Sequence, residues 1–61
     1  MVIIYFTILP EYESEAKQYG FSLDTVYHIV AANAGYKIVL AKNDNNVIEF
    51  IESEKVEIFF Q

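Results

Sequence analysis

Residues 36–51, YKIVLAKNDNNVIEFI, set two apolar runs on either side of a polar block, and both runs alternate with a period of two. Extended backbone sends successive side chains to opposite faces. Tyr36, Ile38 and Leu40 therefore share one face and Lys37, Val39 and Ala41 the other, while the return run puts Ile48 and Phe50 on one side and Val47, Glu49 and Ile51 on the other. The block between them, Lys42-Asn43-Asp44-Asn45-Asn46, is rich in residues that tolerate left-handed backbone and bond their own main chain. The pattern predicts a β-hairpin, with Ile38, Leu40, Ile48, Phe50, Val56 and Ile58 as its core side.

The rest of the chain is read by the same rules. Residues 1–9, MVIIYFTIL, form a continuous run of β-branched and aromatic residues. The run is too short to cross a membrane and lacks the basic start of a secretory signal, so it predicts a buried strand in a cytoplasmic protein. Residues 10–20, PEYESEAKQYG, carry helix signals: a proline at the first turn, early glutamates, Lys17 near the end and a glycine stop. Glu13 and Lys17 stand one turn apart, and Tyr12, Ala16 and Tyr19 line one face.

Residues 21–35, FSLDTVYHIVAANAG, admit two readings. As a strand, Tyr27, Ile29 and Ala31 alternate with Val26, His28 and Val30. As a helix, Ser22 caps, Leu23, Val26 and Val30 form a stripe, and Gly35 stops it. The β-branched Val26, Ile29 and Val30 favour the strand, because they lose side-chain freedom in a helix. After the polar link Glu52-Ser53-Glu54-Lys55, Val56, Ile58 and Phe60 alternate with Glu57 and Phe59 as a last strand. The expected class is mostly β (α+β), with about five antiparallel strands and one short helix after the first.

In spacing, Val-Tyr-His-Ile-Val, Tyr-Lys-Ile-Val-Leu, Val-Ile-Glu-Phe-Ile and Val-Glu-Ile-Phe, joined by short turns, resemble a small SH3-like barrel over residues 25–59. Similar small barrels occur in ribosomal and transcription-associated modules and in phage proteins. The signalling SH3 domains bind proline-rich peptides through a tryptophan and an Ala-Leu-Tyr-Asp-Tyr-like motif. This chain has neither, so that activity is not carried over.

Composition narrows the function. A chain of 61 residues is one domain, and a domain of about that size buries only about 60% of the surface its unfolded form exposes. No cysteine is present to staple it, and a single histidine cannot build a zinc site. Apolar residues make up 54% of the chain, so burial against a second copy or a partner is a physical route to extra stability.

Nine carboxylates face four lysines and no arginine, for a net charge of −5. Direct nucleic-acid binding, which rests on Lys and Arg neutralising phosphates, is disfavoured, as are anionic membranes. The Asn/Asp turn lacks the ligand spacing, glycine and closing glutamate of a calcium loop. His28 has no nucleophile motif beside it. No catalytic, cofactor or metal site is expected.

Two functional expectations remain. In the first, Val39, Val47, Ile51 and Phe59, with Glu49 among them, project away from the core and form a protein interface, to another protein or to a homodimer partner. Such a module would serve as an accessory or inhibitory protein, for instance of a phage. In the second, Glu11, Glu13 and Glu15 join Glu52, Glu54 and Glu57 as an acidic surface that mimics nucleic acid and blocks a DNA-binding protein.

Overall fold

The computed structural model describes residues 3–61. Met1 and Val2, the start of the expected first strand, lie outside the described residues. Strand β1 is Ile4–Ile8. A 3-10 turn at Pro10–Tyr12 leads into helix α1, Glu13–Gln18. Strands β2 (Tyr27–His28), β3 (Ala31–Asn33), β4 (Ile38–Lys42) and β5 (Ile48–Glu52) follow, and a second 3-10 turn, Ser53–Lys55, leads to β6, Val56–Phe60.

The strands make two three-stranded antiparallel sheets, in the orders β2-β1-β6 and β3-β4-β5. The stretch 21–35 is therefore strand and loop rather than helix, as its β-branched residues favour. It supplies two short strands instead of one because the chain bends at Ile29 and Val30. The Ile29 amide donates to the Ile4 carbonyl of the first sheet, and the Val30 amide donates to the Leu40 carbonyl of the second. No ladder joins β5 to β6 among the described residues, so in place of the expected SH3-like barrel of about five strands, six strands form an open pair of sheets.

Packing inside this fold is dominated by rings. Phe6, Phe21 and Tyr27 lie with centroids 4.9–5.7 Å apart in mixed stacked and edge-on contacts. Ile8, Ala16, Val39, Ala41, Ile51 and Val56 close around them. Ala16 brings α1 onto the core, with Tyr12 and Tyr19 of the same helical region half-buried beside it.

The hairpin forms where expected, but its faces are reversed. Val39 is 0% exposed and Ile51 1%, directly opposite each other, whereas Ile48 and Phe50 are 47% and 45% exposed. Val39, Ala41 and Ile51 join the buried cluster with the three rings, and alternation turns the residues between them outward. Val56 and Ile58 do pack inward.

Among the residues with left-handed backbone, Asn46 and Gly20 shape the loops around the hairpin turn. Asn46, at φ +65°, ends the hairpin turn, whose Asn46 amide donates to the Asn43 carbonyl. Gly20, at φ +87°, leaves α1 where a Cβ would sit 2.5 Å from Asn43 Nδ2. The Asn43 side chain cannot easily withdraw. It donates to the Tyr19 carbonyl and accepts from the Asn45 and Val47 amides. Gly20→Ala is expected to cost about 2 kcal/mol through backbone strain and loss of that side-chain bonding. In a chain this small such a cost lowers the thermal midpoint by roughly 10 °C, as calorimetry would show. An unchanged midpoint would refute this account of the loop.

Candidate interaction surface

Cross-strand neighbours in an antiparallel pair share a face. The register therefore places Ala31, Leu40 and Phe50 in one row on the outside of the second sheet, with Ile38 and Ile48 in the rows beside it. Leu40 and Ile38 are half-buried, and Val47 stands exposed next to Ile48 at the hairpin tip. The Tyr19 ring reaches Phe50 at 5.5 Å and borders this face. Its helix does not cover the face, because α1 buries Ala16 in the core instead.

The outside of the first sheet carries a second row. His28 meets Tyr5 edge-on at 4.6 Å, and Tyr5 stacks with Phe59 at 5.6 Å. The Tyr5 hydroxyl donates to Gln61 Oε1 at 2.7 Å.

Of the residues expected at an interface, Val39 and Ile51 are therefore corrected to core positions. Val47 and Phe59 are exposed but lie on different sheets, and Glu49, opposite the buried Ala41, is half-buried. Ile38, Leu40, Ile48 and Phe50, expected in the core, alternate as expected but face outward, since both faces of this hairpin are apolar and periodicity alone does not choose between them.

The acidic residues are brought together in part. Lys55, whose side chain is 15% exposed, lies 2.6 Å from Glu15 and 2.9 Å from Glu52. Those carboxylates, Glu15 foremost, hold its ammonium above the ordinary lysine value. One lysine thus joins the acidic group of the helix to that of the chain's end and neutralises part of it. Glu13 pairs with Lys17 at 3.9 Å, while Glu11, Glu54 and Glu57 remain exposed. An open depression of about 350 Å³ lies between Lys37, Glu52, Ser53 and Glu54.

The Asn/Asp turn does more than reverse the chain. Its Asp44 carboxylate accepts from the Ser22 hydroxyl and, at 2.7 Å, from the Tyr27 hydroxyl. The Tyr27 oxygen in turn accepts from the Ser22 amide at 2.7 Å, and the Asp44 amide donates to the Gly20 carbonyl at 2.9 Å. This clasp ties the hairpin tip to the loop after α1. No cluster of metal-ligating side chains occurs among the described residues, and no helix there is long and apolar enough to cross a membrane.

No protein-family model, curated protein or solved structure matches the chain. The functional reading therefore rests on its surfaces.

The clasp has a pH signature. Hydrogen bonds from Ser22 and then Tyr27 hold the Asp44 carboxyl below its ordinary value of 3.8. A carboxyl lowered in the folded state stabilises it fully above its unfolded value and loses that contribution as pH falls through the lowered one. Resistance of the native chain to urea should fall as pH drops below 3.8, and Asp44→Asn should show less of that acid-dependent loss. Parallel acid profiles for the two proteins would overturn the assignment.

Proposed function

We propose that this chain is a non-enzymatic protein-interaction module, acting as an accessory or inhibitory protein that binds a partner through an apolar strand face with carboxylates at its border. The observation that carries the reading is the exposure of Ile48 and Phe50 on the outer face of the β3-β4-β5 sheet, beside Val47, Leu40 and Ile38. Apolar patches of this kind on small domains tend to mark interfaces. Glu52 lies on the same face, opposite Ile38. Two small antiparallel sheets, linked where the chain bends between β2 and β3, support a small SH3-like module as the finer description of the fold.

The nucleic-acid mimic is the weaker reading. Such a surface needs like charges in series, and here Lys55 stands between Glu15 and Glu52.

Ile48→Asp and Phe50→Asp separate the two readings. For an apolar interface, each should abolish complex formation with a captured partner, while the complex of the unaltered protein tolerates added salt. Ile48→Asp should leave unfolding stability within about 0.5 kcal/mol, as expected of a surface site. A complex indifferent to both substitutions and lost on raising the salt would support the mimic instead.

A further inference from the structure

The free edge of β6 offers a second surface, independent of the hairpin face. Ile3 and Gln61 exchange both backbone hydrogen bonds, and the Leu9 amide donates to the Lys55 carbonyl. Antiparallel ladders alternate, so Glu57 and Phe59 turn their main-chain groups toward β1 while Ile58 and Phe60 turn theirs outward. The Val56 amide is already bonded to the Ser53 carbonyl. β6 is the last strand of its sheet, and among the described residues no strand pairs with its outer side. The end strands β2 and β3 are only two and three residues long, and the end strand β5 is guarded by Glu49 and Glu52, with Tyr19 against Phe50. Charges and cover of that kind are how natural edges resist pairing. β6 carries one carboxylate, Glu57, and none from Ile58 to Phe60, where Phe60, at 69%, is its most exposed large apolar side chain.

We infer that the Ile58–Phe60 edge of β6 takes up an extended strand of another protein, with lysine or arginine beside Glu57 and apolar residues at alternate positions. Residues of an added strand that lie opposite Ile58 and Phe60 share their face and need to be apolar. Those opposite Glu57 and Phe59 share the outer face, where a cation meets a carboxylate and an aromatic ring. Glu57 has no ion pair among the described residues, and its direct neighbour is Thr7. Lys17 and Lys55 are held by Glu13, Glu15 and Glu52, and the chain's net charge of −5 favours a basic arrival. A second copy fits less well. Opposing Ile58 to its own equivalent sets Glu57 across from Phe59, leaves both carboxylates without a cation and brings together two chains of net charge −5.

The probe is a fluorescent peptide alternating lysine and valine, with a glutamate–valine peptide as control and anisotropy as the readout. The lysine peptide should bind the unaltered chain, and the control should not. Phe60→Pro removes an outward N–H without touching the β1 ladder, and should bind about tenfold more weakly than Phe60→Ala, which keeps that N–H. Glu57→Lys should weaken binding by roughly fivefold, and Ile48→Asp should leave it unchanged. Amide exchange at Ile58 and Phe60 should slow when the peptide is present.

No binding, equal binding of the two peptides, or equal affinity of the Pro and Ala variants would overturn the inference. So would a self-association in sedimentation equilibrium that Phe60→Pro abolishes, which would give the edge to a second copy. Loss of peptide binding in Ile48→Asp would instead assign the peptide to the hairpin face.

Discussion

The contact among Phe6, Phe21 and Tyr27 organises this molecule. The three rings come from the central strand of the first sheet, from the loop after the helix and from the start of the bent strand. Together they occupy the space between the two sheets. Side chains from the second sheet must be small where they meet this cluster, hence Val39 and Ala41, with Ile51 closing the far side. Tyr27 also extends the influence of the cluster outward. Its ring is buried among the others while its hydroxyl reaches Asp44. Burial, foremost, holds that phenol above its ordinary value, so it stays a donor to the carboxylate. A single residue thereby couples the apolar interior to the loop clasp.

Much of the local structure is legible in the sequence because it is decided locally. The Asn/Asp block makes the hairpin turn, Pro10 and the early glutamates start the helical segment, and the β-branched residues around Val30 keep that stretch extended. What the sequence left open depends on distant partners. Phe21 is one apolar residue between Gly20 and Ser22, and nothing near it announces a core ring. Ile38 and Val39 both suit an interior, and the choice between them was made by rings contributed from elsewhere in the chain. Glu49 stands opposite Ala41 and is half-buried, two residues from the fully enclosed Ile51. The meeting of Glu15 with Glu52 across Lys55 is likewise a product of the fold, invisible in spacing.

Surface chemistry follows from the same economy of size. A chain with this much apolar character cannot enclose all of it, since small domains bury a smaller fraction of their surface. Here part of the remainder lies in the outer rows of the hairpin sheet and in the aromatic row His28–Tyr5–Phe59 of the other, with Val26, Val30, Tyr36 and Phe60 exposed elsewhere. Charges of both signs border the hairpin rows, Glu52 opposite Ile38 and Lys42 opposite Ile48, and two of the four lysines are tied up in ion pairs.

The pairing of β1 with β6 also bears on how the chain reaches this state. β1 is the middle strand of its sheet, yet its first neighbour, β2, offers a pair of only two residues, and its long neighbour is the last strand. On the ribosome, the Ile-Tyr-Phe-Thr-Ile segment therefore emerges well before the strand that shelters it. Bringing such remote segments together carries a loop-closure penalty and slows folding. During that interval the partner edge of β1 stays open, whereas the β4–β5 hairpin closes from neighbouring residues alone.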